Sequence, residues 1–276
     1  MPAAAGPPLI TLLTDFGLDD GYVAAMKGVI LARAPGACIV DVSHAVAPQD
    51  VLHGGLLWSR ALPYFPRGAV HVAVVDPGVG SRRRILAVEA RGCIHLVPDN
   101  GLIGCALSRR EVRRVFAVTR RELFLEEVSA TFHGRDVFAP VAAALAGGLP
   151  LERLGPQVRR YAWVSLPRPR RRRAARGQAV GGGGEIVDDG EVLHIDRFGS
   201  AITNLRRSPD ADLVEVVVAG ARVDRLSRTF TDVRRGALLV LIGSGGTLEV
   251  AVREGSAAEK LDLQRGARVE ARWRRR

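Results

Sequence analysis

The segment best suited to chemistry begins at Asp76, where the apolar run VHVAVV gives way to DPGVGSRRR. A carboxylate at the end of a buried strand can accept a proton or orient a polar ligand, and a nearby guanidinium would keep it ionised. Arg82, Arg83 and Arg84 follow closely enough for one of them to reach Asp76 if the loop folds back. On this segment alone, a polar turn with exposed arginines is the commoner outcome. The segment therefore defines a candidate carboxylate–arginine pair and leaves the identity of its arginine open.

Two other polar clusters also follow apolar runs. Asp15 ends the run LITLLT and Asp20 precedes a helical pattern, so either carboxylate could accept hydrogen bonds from a diol or pair with an ammonium group. His133 lies in TFHGRDVFAP, just before another predicted helix, where an imidazole can donate or accept a proton. Each cluster has a structural alternative, because aspartates commonly cap turns and helices and a lone histidine commonly packs. Taken singly, these signals do not separate a functional site from ordinary caps.

Several motif classes are absent from the sequence. It contains no GxxxxGKS/T phosphate loop, no GxGxxG after the first strand, no GxSxG and no HExxH. Its three cysteines, Cys38, Cys93 and Cys105, lack CxxC spacing and lie among apolar or small residues. This pattern favours buried thiols in a reducing cytoplasm over a disulfide or zinc framework. We therefore expect no metal site and a cytoplasmic protein.

The net charge of +11 raises the question of a nucleic-acid partner. Much of the excess lies in two runs, RPRRRRAARG at residues 168–177 and RWRRR at residues 272–276, and only two of the 40 basic residues are lysines. Basic runs are commonly solvated and no recognition module accompanies these, so we favour a solvated linker and tail over nucleic-acid binding. No apolar stretch is long enough to span a bilayer and no signal peptide is recognisable, so we expect no membrane partner.

The elements that must position these groups change character along the chain. In residues 1–166, short apolar runs alternate with helical patterns, which predicts an α/β domain with a mostly parallel sheet. Residues 167–184 are rich in arginine and glycine, which predicts a flexible linker. Residues 185–276 contain short, alternating, valine-rich runs, which predict an antiparallel β-barrel domain. Ligands bind at the carboxyl ends of strands in open α/β sheets, so the predicted site lies at that edge.

The order of the polar segments is more specific than any one of them. Seven segments occur in the order TDFGLDDGYVAAMKGV, VSHAVAPQDVLHGG, VVDPGVGSRRR, PDNGL, TFHGRDVFAP, IDRFGSAITNL and GSGGTLEVAVREGSAAEKL. Together they resemble the S-adenosylmethionine hydroxide adenosyltransferases, also known as S-adenosylmethionine hydrolases, which are related to the fluorinases and chlorinases. The resemblance extends from about Leu9 to Glu270, apart from the arginine-rich linker.

This resemblance implies a fold, a reaction and an assembly. The fold would be an N-terminal α/β domain followed by a C-terminal β-barrel. The reaction would cleave S-adenosyl-L-methionine with water at ribose carbon 5′, giving adenosine and L-methionine without a cofactor. The assembly would be a homotrimer whose small-molecule sites lie between subunits. The family's catalytic set would fall on Asp76, Arg83 and His133.

The resemblance also implies substrate contacts. Asp15 would accept hydrogen bonds from the ribose diol, and Asp20 would lie near the methionine end. Phe132 and Gly134 would flank the nucleophile. Residues of the β domain would lie on the adenine side, namely Phe198, Ser200, Ser244, Glu249 and Val252. Relatives commonly have asparagine at the position of Ser200, and serine lacks the paired donor and acceptor of an amide, so adenine recognition would be weaker or water-mediated.

Three questions stay open at this stage. The proton of the attacking water could pass to Asp76 or to His133. A halide-dependent adenosyl-halide synthase of the same superfamily is one alternative, but that branch has an aromatic residue at the position of the carboxylate, and an ionised Asp76 would repel a halide. A non-catalytic nucleoside- or nucleic-acid-binding protein is a second alternative, motivated by the net charge. The presence of the whole catalytic set favours hydrolysis.

Overall fold

The computed structural model describes residues 6–174 and 185–275. The chain divides into two compact units, one that ends at Leu166 and one that begins at Pro167. Within the described residues, no helix is both long and apolar enough to span a bilayer.

The N-terminal unit is built around one six-stranded sheet. Its strands are β1 (Leu9–Thr14), β2 (Cys38–Ser43), β3 (Val70–Val74), β4 (Ile85–Ala90), β5 (Cys93–Pro98) and β6 (Val112–Ala117). Its α-helices are α1 (Tyr22–Arg33), α2 (Val51–Ala61), α3 (Leu102–Ala106) and α4 (Ala139–Ala146). A π-helical turn, Gly134–Phe138, runs directly into α4. The described part of this unit also contains short 3-10 turns at Leu62–Tyr64, Arg109–Glu111, Arg121–Leu123 and Leu151–Arg153.

The sheet has the strand order β2-β1-β3-β5-β4-β6. Strand β1 runs parallel to β2 and β3, and β3 runs parallel to β5. Strand β4 is antiparallel to both of its neighbours. Parallel neighbours need a crossover connection, which α1 supplies between β1 and β2 and α2 supplies between β2 and β3. The predicted α/β domain with a mostly parallel sheet is confirmed.

Helices cover both faces of this sheet. Met26 of α1 and Val141 of α4 belong to the hydrophobic core on one face. Trp58 of α2 and Leu102 of α3 belong to the core on the other face. Every residue of β3 is buried, as expected for a parallel strand that is covered on both sides. Because helices cover both faces of the sheet, a polar ligand can reach it only at the ends of the strands.

The first two helices start in different ways. Helix α1 has Gly21 in its cap position, so Asp20 lies just outside the helix and does not cap it. Helix α2 begins after Asp50, whose side chain accepts the His53 N–H at 2.9 Å. Asp50 therefore has the capping role that the sequence left open for Asp20.

The C-terminal unit is a nine-stranded sheet over the residues described. Its strands are β7 (Arg170–Arg173), β8 (Glu185–Ile195), β9 (Ala201–Thr203), β10 (Ala211–Val218), β11 (Ala221–Val223), β12 (Leu226–Ser227), β13 (Leu238–Ile242), β14 (Leu248–Val252) and β15 (Arg268–Arg275). A 3-10 turn, Phe230–Asp232, and a short helix, α5 (Ala257–Leu261), complete the described elements.

Eight of these strands follow the order β11-β10-β15-β8-β9-β14-β13-β12, and β7 pairs with β8 beside that path. All neighbours are antiparallel except β12 and β13, which run parallel. The sheet curls into a nearly closed barrel around a core that includes Val250 and Trp273. The predicted β-barrel is confirmed, with one parallel pair in an otherwise antiparallel arrangement.

The flexible linker predicted over residues 167–184 is wrong in its first part. Residues Arg170–Arg173 form β7 and pair antiparallel with β8. Arg171 Nε donates to Asp188 Oδ1 across this pair at 2.7 Å. Carboxylates on the neighbouring strand offset the repulsion within the arginine run, which allows a charged run to form a strand. Residues 175–184 lie outside the described part of the chain.

Candidate active site

The carboxyl ends of β1 and β3 present two aspartates to one cavity. Asp15 follows β1 directly, and Asp76 follows β3 after one further buried residue. Both line a cavity of about 320 Å³ together with His133 and Gly134. Burial raises the pKa of Asp15, and the nearby charge of Asp76 adds to that rise while backbone N–H groups oppose it. Four of the residues predicted for the N-terminal domain therefore meet in one place.

Asp76 and Arg83 form a buried ion pair. Their side chains are 3% and 10% exposed. Arg83 Nε donates to Asp76 Oδ2 at 2.7 Å, and Arg83 Nη2 contacts the same oxygen. The other oxygen, Asp76 Oδ1, accepts the Gly78 N–H at 3.2 Å from within the loop. The turn thus holds the carboxylate with one oxygen against the guanidinium and the other against the backbone.

The three consecutive arginines have different surroundings. Arg83 reaches Asp76 as described. Arg84 turns instead to Asp99, donating to its Oδ2 through Nε and Nη2 at 2.8 and 2.6 Å. Arg82 is exposed. The three side chains are identical, so the sequence alone could not show which arginine pairs with Asp76. The structure shows that Arg83 does.

His133 extends this pair into a three-residue network. Its Nδ1 lies 2.9 Å from Arg83 Nη2. A guanidinium can only donate, so Nδ1 must accept, and the proton of the neutral ring lies on Nε2. Burial lowers the pKa of His133, and the charge of Arg83 lowers it further. We therefore expect a neutral imidazole at pH 7.

An aromatic cluster and a glycine shape the wall beside His133. Gly134 opens the π-helical turn, and a Cβ at this position would lie 3.0 Å from the Phe16 ring. Phe16, Tyr22 and Phe132 meet edge to face, with ring centroids 5.1 to 6.1 Å apart. Such packing fixes aromatic rings in orientation. Glycine at 134 therefore lets Phe16 close on the start of this helix.

The loop that leads to His133 contacts the rest of the domain at Ser129 and at Ala130. Asp136 is fully buried and accepts the Ser129 N–H at 2.8 Å. Gly80, in the loop after Asp76, has a φ of +76° and lies against the carbonyl oxygen of Ala130. A side chain at Gly80 would collide with that carbonyl. The loop carrying Asp76 and the loop carrying His133 are therefore in direct backbone contact.

Sequence reasoning missed several residues of the cavity wall, namely Phe16, Tyr22, Pro48, Gln49, Val79 and Thr131. Phe16 and Tyr22 lie within the segment that also contains Asp15, so proximity to a candidate carboxylate was an available signal. Gln49 carried no such signal. It has a φ of +64°, and its backbone N–H donates to Asp15 Oδ2 at 2.7 Å, so its contact does not use its side chain.

Three predicted N-terminal residues do not line the cavity. Arg83 contacts Asp76 and His133, which do line it. Asp20 is exposed in the turn before α1, and Phe132 is half-buried in the aromatic cluster. Phe132 therefore contacts the site through its neighbours in the wall.

The candidates from the β domain are described within their own unit. Phe198 is 80% exposed, whereas Ser200 is 5% exposed. Asp196 Oδ1 accepts the backbone N–H groups of both residues at 2.9 Å, which holds the turn so that Phe198 stands out from it. Ser244 is exposed between β13 and β14. The last two candidates are buried in β14, Glu249 at 9% and Val252 at 7%.

The cysteines and the acidic residues are among the side chains that could bind a metal ion. Cys93 and Cys105 are buried free thiols, as predicted, but Cys38 is exposed. Burial raises the pKa of Cys105 to about 11. Among the residues of the described ranges, no group of three or more His, Cys, Asp or Glu side chains is arranged to hold a metal ion.

Comparisons with known proteins cover nearly the whole chain. Residues 10–155 match the family described as SAM hydroxide adenosyltransferase N-terminal domain, and residues 190–270 match the corresponding C-terminal domain. A relative from Thermus thermophilus, named (R)-S-adenosyl-L-methionine hydrolase, is 46% identical, covering 94% of this chain and 98% of its own. A relative of the same name from Salinispora tropica is 42% identical, with coverages of 96% and 98%.

A solved structure and a second group of relatives complete the comparison. The crystal structure of an uncharacterized conserved protein from Thermotoga maritima superposes with a TM-score of 0.83 at 35% identity, covering 95% of this chain and 99% of that one. Proteins named fluorinase are more distant, and the one from Nocardia brasiliensis is 28% identical over 96% of this chain and 97% of its own. The fold and the sequence therefore point to the same group of proteins.

Proposed function

Because this chain belongs to the SAM hydroxide adenosyltransferase family, we propose that it is an enzyme that hydrolyses S-adenosyl-L-methionine to adenosine and L-methionine. The observation that carries the proposal is the buried carboxylate of Asp76, which lines the cavity and pairs with Arg83. Water would attack ribose carbon 5′ in line with the departing sulfur. The new carbon–oxygen bond forms as the carbon–sulfur bond breaks, its electron pair neutralises the sulfonium, and methionine leaves as a thioether.

Asp76 is the residue best placed to take the proton of the water. Its Oδ2 is held by Arg83, while Oδ1 accepts one N–H from Gly78 and keeps acceptor capacity for a water molecule. A carboxylate beside water removes a proton as the carbon–oxygen bond forms, and such general-base catalysis contributes about 10²- to 10⁴-fold. The guanidinium of Arg83 orients the carboxylate throughout.

His133 suits a different role. In the neutral ring, Nδ1 accepts from Arg83 and Nε2 already carries the proton, so neither nitrogen is free to take a second one without breaking the contact with Arg83. We therefore assign His133 to orienting Arg83 and to donating a hydrogen bond from Nε2–H. The contact between His133 and Arg83 thus supports Asp76, rather than His133, as the group that takes the proton.

The remaining contacts follow the family resemblance. Asp15 would accept the ribose diol, Asp20 would contact the methionine end, and Phe132 and Gly134 would shape the nucleophile region. The adenine side would be formed by Phe198, Ser200, Ser244, Glu249 and Val252. We also propose a homotrimer in which a neighbouring subunit completes each site. Light scattering coupled to gel filtration would report the mass of that assembly. The free thiols are compatible with a cytoplasmic enzyme.

The main alternative, a halide-dependent synthase, conflicts with the charge of the site. A halide nucleophile would have to approach the ionised carboxylate of Asp76, and two like charges within about 4 Å repel each other by about 4 kcal/mol at the dielectric of a protein surface. Water suffers no such repulsion and can donate to the same carboxylate. The geometry of Asp76 thus favours hydrolysis over halogenation.

The test is a product analysis of the purified protein in ¹⁸O-labelled water. S-adenosyl-L-methionine is supplied with and without chloride or fluoride, and the (R) and (S) sulfonium forms are supplied separately, because the relatives' names specify the (R) form. We expect adenosine labelled at its 5′ oxygen, unlabelled methionine, and turnover of the (R) form. Formation of a 5′-halogenated nucleoside, or no release of methionine from either form, would overturn the proposal.

A further inference from the structure

Strand β1 carries two chemically matched threonine–histidine pairs. Thr11 Oγ1 lies 2.8 Å from His71 Nδ1, and Thr14 Oγ1 lies 2.8 Å from His44 Nδ1. All four side chains are buried. The first pair joins residues that are in register on β1 and β3, in the middle of the sheet. The second pair lies at the carboxyl end of β1, next to the candidate site.

The pair at the end of β1 continues into the backbone on both sides of Asp15. The Phe16 N–H donates to Thr14 Oγ1 at 3.2 Å, and the Gly17 N–H donates to the His44 carbonyl at 2.9 Å. His44 is thus connected through its ring to the residue before Asp15 and through its main chain to the turn after it.

The ring of His44 has a second anchor on its other side. Its Nε2 lies 3.0 Å from Asp41 Oδ1, and Lys27 Nζ donates to Asp41 Oδ2 at 2.6 Å. Within the described part of the chain, His44 Nε2 makes no hydrogen bond of good geometry, so its contact with Asp41 is electrostatic. The contact still favours the ring form with its proton on Nε2, because a bare nitrogen lone pair would face the carboxylate. Nδ1 then accepts the hydroxyl proton of Thr14.

His44 also leads into the second segment that holds Asp15. The residues after His44 lead to Gln49, whose backbone N–H donates to Asp15 Oδ2 at 2.7 Å. Asp15 is therefore held between two segments, the end of β1 and the connection after β2. His44 links these two segments through its contacts with Thr14 and Gly17, beneath Asp15.

We propose that His44 and Thr14 are positioning residues that set the orientation of Asp15 for its ligand. The inference rests on the proposed function in one respect, namely that Asp15 accepts the ribose diol. The Phe16 N–H donates to the Thr14 hydroxyl, and that hydroxyl donates to Nδ1 of the His44 ring. Removing the hydroxyl leaves both the Phe16 N–H and the ring nitrogen without this partner, and frees the turn that carries Asp15.

The experiment compares Thr14→Val with Thr11→Val, which removes the same hydroxyl from the matched pair in the sheet. Both variants should lose a similar amount of thermal stability. Only Thr14→Val should raise the KM for S-adenosyl-L-methionine, by about tenfold, with kcat within about threefold of wild type, because contacts to a remote diol contribute equally to ground and transition states. Thr14→Ser, which keeps the hydroxyl, should restore the wild-type KM.

Two further measurements keep the test decisive. Asp41 is 37% exposed, so Asp41→Asn removes the outer anchor without opening the core and should raise KM in the same direction but less. Adenosine binding, measured by calorimetry, should weaken in parallel with KM. If Thr14→Val and Thr11→Val have the same KM and the same adenosine affinity, the inference is wrong even though the enzyme is active. If wild type binds adenosine but hydrolyses nothing, the proposed reaction fails and the calorimetry still tests the positioning role.

Discussion

Arginine–carboxylate pairs occur in two very different settings in this molecule. At the end of β3, Asp76 has one arginine, and both side chains are almost completely buried. On β7, β8 and β15, arginines and carboxylates are shared among several partners. Arg172, for example, donates to Asp189 and to Glu270, both at 2.8 Å, and its side chain is 36% exposed.

The difference teaches what each arrangement can do. The pairs on β7, β8 and β15 share their partners and have partly exposed arginines, and they are called the exposed network below. Such pairs lose little when one partner is removed, because water and the remaining charges compensate, and each contributes about 0 to 1 kcal/mol. A buried pair has no such compensation. Removal of one partner leaves the other charge buried and unpaired, which lowers the free energy of unfolding by about 3 to 5 kcal/mol. The buried pair can therefore fix the direction of a carboxylate, whereas the exposed network offsets the charge of an arginine-rich strand.

The largest effect should come from neutralising the buried carboxylate. Asp76→Asn keeps the shape of the side chain but removes the proton acceptor, so we expect kcat to fall by about 10³-fold while substrate still binds. The matched change in the exposed network, Asp189→Asn, should leave kcat unchanged. Single-turnover hydrolysis and calorimetric binding measure the two quantities. Full turnover in Asp76→Asn would remove the distinction between the two settings.

The next effect compares two adjacent arginines. Arg83→Gln should lower kcat/KM by about 10²-fold, since it removes the charge that orients Asp76. Arg84→Gln should change kcat/KM by no more than about twofold, because Arg84 pairs with Asp99 outside the cavity wall. Steady-state kinetics on both variants tests this ordering. Equal losses would mean that the arginine run acts as a single charged surface.

A smaller effect concerns the pH dependence of activity. The pKa of His133 lies below its usual value of 6.5, through burial and then through the charge of Arg83, so the ring stays neutral as the pH falls to 6.5. We expect kcat/KM to be level from pH 8 to about 6.5 and to decline only at lower pH, when protonation of Nδ1 breaks the contact with Arg83. In Arg83→Gln the decline should begin at a higher pH. A pH–rate profile of both proteins measures the shift.

The smallest effect belongs to the exposed network itself. Arg172→Gln should lower the free energy of unfolding by less than about 1 kcal/mol and leave kcat unchanged. The loss should shrink further in high salt, because exposed charges are screened. Urea unfolding at two salt concentrations measures it. A loss of several kcal/mol that salt does not reduce would place β7 in the same class as the buried pair.

Sequence reasoning succeeded where residue type and chain order carry the information. Alternating apolar runs and helical patterns predict the α/β unit and the barrel. The ends of β1 and β3 identify Asp15 and Asp76 because a polar residue there interrupts a buried run. The choice of Arg83 came from family resemblance and not from spacing, since Arg82 and Arg84 have the same side chain.

Other features could not be read from the sequence because they depend on backbone geometry or distant partners. Gln49 contacts Asp15 through its backbone N–H, which every residue except proline possesses. Strand β7 looked like a linker because the carboxylates that offset its charge lie on β8, such as Asp188, and on β15. Thr14 and His44 are 30 residues apart, so only folding shows that they form a pair.

The close approach of Gly80 to the Ala130 carbonyl has a consequence for motion. The loop that carries Asp76 and the loop that carries His133 touch through backbone with no side chain between them, so neither can move closer to the other. Arg83 also links the two loops, because it donates to Asp76 and lies within hydrogen-bond distance of His133. We therefore expect the distances among the Asp76, Arg83 and His133 side chains to be kept when either loop moves.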